Sequence, residues 1–340
     1  MLEPLALLLI LAQPAGSAEP PSSALADTGP WFDRASCKEI VAVVLSADFA
    51  RVDSGLQALE RSRDPDDGAC AVWSRLVASE LNLAVNGRTP ENLEERRRRL
   101  TRMFQFARTN QAKGTRFADL EIEARTRRVR VLMDDGDRTG ALSEARRTRT
   151  MLADRKGEPT PTLFFTKAVI NLAIAYESWP MRTLLGMAGL EGDPEIGKTN
   201  LMRLVESDGA YRYEGTFVAW HFAHAEPKGA LGGPLRYSSS LSTAFPTNAE
   251  LATCYAKDLL DAGQPKEARA VMDRYVAILG GEPARFGPRK RAQIFGLTAR
   301  AALDLNDPST ARAQLERARK EGDQGLGELL AAIAERLPKP

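Results

Sequence analysis

Three junctions in this 340-residue chain repeat one frame: Asp134-Asp135-Gly136-Asp137-Arg138-Thr139-Gly140-Ala141, Asp261-Ala262-Gly263-Gln264-Pro265-Lys266-Glu267-Ala268 and Asp304-Leu305-Asn306-Asp307-Pro308-Ser309-Thr310-Ala311. Asp leads, Gly or Asn stands third and Ala stands eighth. Gly or Asn takes the left-handed conformation that closes a helix, and the Asp or Gln after it caps the next one. Pro265 and Pro308 fall where a helix best tolerates proline. The Ala marks a close approach of the second helix to the first. A chain that writes this turn three times folds by doubling helices back on one another.

The rest of the sequence agrees. Hydrophobic residues make up 43% and charged residues 27%, enough apolar content for one large core or two ordinary ones, and aromatics are only 6%. No alternating runs compete with segments of helical length broken by Gly, Pro, Asn or Asp. These breakers predict helices over about 33–47, 49–62, 67–86, 90–112, 115–135, 138–155, 160–177, 180–189, 194–207, 211–225, 233–245, 248–262, 265–279, 287–305, 308–321 and 324–336. The expectation is an all-α solenoid of antiparallel helix pairs. Its expected divisions are an N-terminal helical part over 27–156, a middle part over 157–246 and C-terminal repeats over 247–340.

The junctions resemble those of the tetratricopeptide repeat (TPR), a helix-turn-helix unit with small residues at fixed slots. One copy has Phe295, Thr298, Ala299 and Ala302 followed by Ala311, Leu315 and Ala318. A second has Ala252, Tyr255, Ala256 and Leu259 followed by Ala268, Met272 and Tyr275. A degenerate third keeps Val129, Leu132, Ala141 and Ala145 but puts Arg125 and Arg128 in normally apolar slots. The stretch Ser178-Trp179-Pro180-Met181-Arg182, with Leu184-Leu185, Gly189-Leu190-Glu191-Gly192-Asp193 and Gly197, is similar to the TPR family that includes the mitochondrial inclusion-body clearance protein. Ala225-Glu226-Pro227 with Gly232-Gly233-Pro234 is similar to periplasmic TPR subunits associated with TRAP-type transporters. These resemblances imply a helical-repeat fold and carry no catalytic residue across.

Leu5 to Ala12 is an apolar run followed by the small-residue sites Gly16-Ser17-Ala18 and Ala24-Leu25-Ala26, so residues 1–26 read as a secretory signal peptide and cleavage region. The run is too short to span a bilayer. The expected location is therefore periplasmic or secreted, with no transmembrane span in the mature form. Export makes oxidation available, and Cys37 and Cys70, on neighbouring predicted helices, are the candidate disulfide. Three cysteines without C-x-x-C spacing and two histidines argue against a structural metal site, and no cofactor is expected.

Four patterns bear on function. Gly192 to Thr199 matches the phosphate-binding pattern G-x-x-x-x-G-K-[ST], yet Thr183 to Leu190 lacks strand character, Asp193 and Glu195 would stand inside the cradle and Pro194 deletes a donor. A helix capped at Asp193 explains the match better. His221 and His224 share a helical face at i and i+3, a spacing more often packed than metal-binding. Tyr211, Tyr213, Trp220, His221, Arg236 and Tyr237 gather binding-surface residue types into 27 positions and are the groove candidates. No Ser/His/Asp, Cys/His or paired-carboxylate arrangement points to an enzyme.

Charge supplies the fourth pattern. The whole chain carries only +2, which gives no global pull toward nucleic acid, and none is expected as a partner. Residues 88–156, however, hold 19 Lys/Arg against 11 Asp/Glu. Arg96, Arg97, Arg98, Arg99, Arg125 and Arg128 are the expected basic face, suited to an acidic protein or peptide partner or to an anionic lipid surface. The sequence therefore predicts an exported, non-catalytic interaction or scaffold module. A ligand-binding subunit of a transport system and a nucleotide binder through 192–199 are the alternatives.

Overall fold

The computed structural model describes residues 30–187, 189–226, 229, 231–322 and 325–338; the expected leader lies outside them. Among the described residues the chain forms sixteen α-helices, two short 3-10 turns and no strand. Every predicted helical segment is a helix, with ends within three residues of the breakers that set them. No described helix is long and apolar enough to cross a membrane.

The chain divides into two compact units, residues 1–80 with 94–233 and residues 81–93 with 234–340. The first holds α1 (Ala35–Leu45), α2 (Phe49–Arg61), most of α3 (Pro65–Asn86) and α4 (Pro90–Asn110), α5 (Thr115–Asp134), α6 (Arg138–Asp154), α7 (Pro161–Ala175), α8 (Trp179–Met187), α9 (Pro194–Val205) and α10 (Arg212–Ala225). The second holds α11 (Pro234–Ala244), α12 (Ala249–Asp261), α13 (Pro265–Gly281), α14 (Pro288–Asp304), α15 (Pro308–Lys320) and α16 (Gly327–Arg336).

The three junctions are one turn built three times. Gly136, Gly263 and Asn306 all have positive φ, at 80°, 73° and 59°. In each, the next residue's N–H reaches back to the carbonyl five positions earlier, Asp137 to Leu132, Gln264 to Leu259 and Asp307 to Ala302. That bond satisfies a carbonyl which the helix end would leave unpaired. Asp137 then caps α6 through the Gly140 N–H and Asp307 caps α15 through the Thr310 N–H. Gln264 makes no such side-chain bond, contrary to the sequence expectation, and Pro265 at the start of α13 sets that helix entry instead. The eighth-position residues Ala141, Ala268 and Ala311 are buried.

In the second unit small residues set the packing. Ala249, Ala252, Ala256, Ala268, Ala292, Ala299, Ala301, Ala302, Ala311 and Ala318 are all at most 1% exposed. They let α12, α13, α14 and α15 pack as successive neighbours. In the first unit the rings of Trp31, Trp73, Tyr211 and Phe165 pack with centroids 5.2–6.0 Å apart. A Cys37–Cys70 disulfide with a Cα separation of 5.8 Å ties α1 to α3.

Candidate functional site

The proposed groove residues divide between the two units, Tyr211, Tyr213, Trp220 and His221 in the first and Arg236 and Tyr237 in the second. Tyr211 is wholly buried and Tyr237 is 2% exposed, so neither can face a partner. The reason is chemical: ring area drives Tyr211 into the core, and its hydroxyl finds partners there, donating to Glu123 and accepting from Thr162 Oγ1 at 3.1 Å. Tyr213 and Trp220 are half-buried, and Arg236 is exposed and lies over the Tyr237 ring. His221 is half-buried, and burial, with Arg130 and His224 adding to it, pushes its pKa down to about 4. It is therefore neutral at pH 7. His224 meets Trp220 edge-on at 5.1 Å. Among the described residues no group of three or more His, Cys, Asp or Glu gathers to hold a metal ion.

The core beneath these rings is a charge network that the sequence does not disclose. Arg127, 4% exposed, meets Glu80 at 2.8 Å, Glu123 at 2.6 Å and Glu214. Trp73 Nε1 donates to Glu123 at 2.9 Å. Burial opposes the Arg127 charge, but Glu214, Glu123 and Glu80 together hold its pKa well above the ordinary value. One guanidinium cannot neutralise three buried carboxylates. Burial, only partly offset by Arg127, therefore pushes Glu214 up to about 8, with Glu123 and Glu80 adding to the shift. Glu214 keeps its proton at neutral pH.

The expected basic face is also partly an interior. Arg96 and Arg125 are each 2% exposed and are not surface groups. Arg96 pairs with Asp134 at 2.6 Å, while Arg125 pairs with Glu121 at 2.7 Å and Glu144 at 2.6 Å and stacks over Phe104. This explains how an arginine occupies a buried position on α5: its planar group packs on a ring while two carboxylates satisfy its charge. Arg97 is half-buried against Asp135 and Glu94, whereas Arg98 and Arg128 are exposed.

Arg99 belongs to a site that spacing alone did not reveal. With Arg75 and Arg102 it lines a cleft of about 310 Å³ between α3 and α4, whose wall also contains Glu60, Gln105 and Phe106. Three guanidiniums face one carboxylate there. The Arg75 hydrogen bond, with charge from Arg102 and Arg99, lowers the Glu60 pKa. Arg75 also meets Asp53 and Arg99 meets Glu95, while Arg102 forms no ion pair among the described residues. Gly68 lets the Phe106 ring lie close against α3, because a Cβ there would lie 2.7 Å from that ring. The signal available beforehand was the density of arginine on α4; the contribution of Arg75 from α3 required the packing.

The Gly192 to Thr199 segment opens α9. Asp193 Oδ1 accepts the N–H groups of Glu195 at 2.9 Å and Ile196 at 3.0 Å, occupying donors that a phosphate would need. Lys198 pairs with Glu226 at 2.8 Å and with Glu195 at 3.4 Å. Gly197 has a packing reason, since a Cβ would fall 2.6 Å from Leu172 on α7. A second cleft, of about 620 Å³, lies between α6, α7 and α9 and includes Thr199 in its wall. A scan against protein-family models finds no match for this chain, and neither does a comparison with the curated proteins.

Proposed function

We propose that this chain is a tetratricopeptide-like interaction module of the cell envelope, without catalysis, whose arginine-lined cleft between α3 and α4 takes an acidic segment of a protein partner. The three matching helix turns and the alanine-packed helix pairs support the repeat reading. The observation that carries the partner class is Arg102, which forms no ion pair among the described residues, on a cleft wall shared with Arg75 and Arg99, whose own charges are met by Glu60, Asp53 and Glu95. A recessed site of this kind suits a side chain or chain segment that enters it better than a plane of lipid headgroups. Carboxylates engage guanidinium groups through paired hydrogen bonds, which gives such a site geometric selectivity as well as charge.

The test is the fluorescence anisotropy of a labelled glutamate-rich peptide, with phosphatidylglycerol vesicles as the comparison. Binding that falls about tenfold or more in R102E supports the reading. Equal peptide binding by the wild type and R102E, or binding to vesicles alone, rejects it. A ligand-binding subunit is the second reading, and the larger cleft beside α9 favours it.

A further inference from the structure

We propose that the second cleft, between α6, α7 and α9, binds a small amphipathic monocarboxylate, a compact apolar body carrying one negative charge. This is independent of the acidic-partner reading, because it uses a different cleft and different residues.

The cleft volume, about 620 Å³, lies within the roughly 300–1,000 Å³ of small-molecule sites. Its walls are chemically mixed. Leu152, Ile170 and Ile196 offer apolar surface, and Ile196 is 47% exposed, one of only three large hydrophobic side chains left exposed among the described residues. Around that surface stand Arg149, Lys167 and Arg203, against Glu191 and Glu195. Three cations facing two carboxylates leave one positive charge, which a monoanion neutralises and a dianion exceeds.

The cations differ in availability. Arg149 Nη1 donates to the Glu191 carbonyl oxygen at 2.6 Å, and Glu195 leans toward Lys198. Among the described residues Lys167 forms no ion pair, and the Arg203 guanidinium lies over the Phe164 ring, 5.2 Å from its centroid, with no acidic partner. Lys167 and Arg203 are therefore the head-group binders. An exposed isoleucine beside unpaired cations matches an apolar body beside a charge. The wall is fixed by packing: Gly192 and Gly197 bring α9 against α7 so closely that a Cβ on either would meet α7 atoms at 2.5–2.6 Å. The Gly and Thr positions of the apparent phosphate-binding pattern thus contribute to this cleft, the glycines by close packing and Thr199 by lining it.

The experiment is calorimetric titration of the purified full chain with 4-phenylbutyrate, with acetate and 4-phenylbutanol as the probes lacking the body and the charge. The expected result is saturable binding of phenylbutyrate, with both control probes about tenfold weaker or more. The double variant K167E/R203E should lose about tenfold or more in affinity, while I196S should weaken phenylbutyrate. Thermal melting of each variant checks the fold, and both cations lie on half-buried or exposed surface, so no core is disturbed. No heat from phenylbutyrate, equal binding of either control, or unchanged affinity in K167E/R203E would overturn the proposal. R102E, the test of the acidic-partner reading, should leave phenylbutyrate binding unchanged.

Discussion

Buried charge is denser in the first unit and buried alanine is denser in the second. Arg96, Arg125 and Arg127 are buried in the first with carboxylate partners, whereas the helices of the second approach through Ala252, Ala256, Ala299 and Ala302, with Lys290 and Glu250 as a buried ion pair. The contrast shows two ways to make helix pairs specific. Small residues fix distance and register through contact, and a wrong volume is penalised at once. Buried ion networks fix partners through the cost of an unmatched charge.

That difference can be broken most severely at Arg127. R127M leaves Glu80 and Glu123 without their cation and should destabilise the first unit by about 3–5 kcal/mol, read as faster amide exchange in α5 and α10. Little change there would mean the network is solvated and the contrast false. Next in size is the covalent tie: reducing Cys37–Cys70, or replacing both by Ser, should cost about 2–4 kcal/mol in urea unfolding. An unchanged midpoint would show that α1 and α3 are held by packing alone. In the second unit the matching perturbation is volume, and A302L should cost about 1–3 kcal/mol through overpacking. Neutral behaviour would mean that its helix spacing is loose.

The smallest effect per step is pH-dependent and belongs to the first unit. Unfolded Glu214 ionises near its ordinary value of 4.5, while in the fold it holds its proton to about 8. Its contribution is fully present below 4.5 and is lost as pH rises toward about 8, by up to about 1.4 kcal/mol per pH unit. E214Q should flatten that slope in the urea midpoint between pH 5 and 8. An identical slope in E214Q would assign the titration elsewhere.

The sequence disclosed the helices because their boundaries are written in local chemistry. Asp193, Asn248 and Asp307 cap with their own side chains, and Gly136, Gly263 and Asn306 turn left-handed at the helix ends. The turn at Ala47, with φ of 55° before the Asp48 cap, uses the same device without its usual residue and so gave a weaker signal. The charge network was hidden for the opposite reason. Arg125 reads as part of a basic face and no motif singles out Glu121, Glu123 or Arg127, yet Arg127 finds Glu80 and Glu214 at sequence separations of 47 and 87. Periodicity cannot anticipate partners that only tertiary packing delivers. The same holds for the candidate site, where Arg99 was legible as part of a basic run but Arg75 was not.

The most direct test of the account is to map a bound glutamate-rich peptide by amide hydrogen exchange over the whole chain. The account predicts protection confined to the segments that build the arginine cleft, 60–75 and 99–110. Protection centred on α11 to α16, or no protection at peptide concentrations that saturate the anisotropy signal, would contradict it.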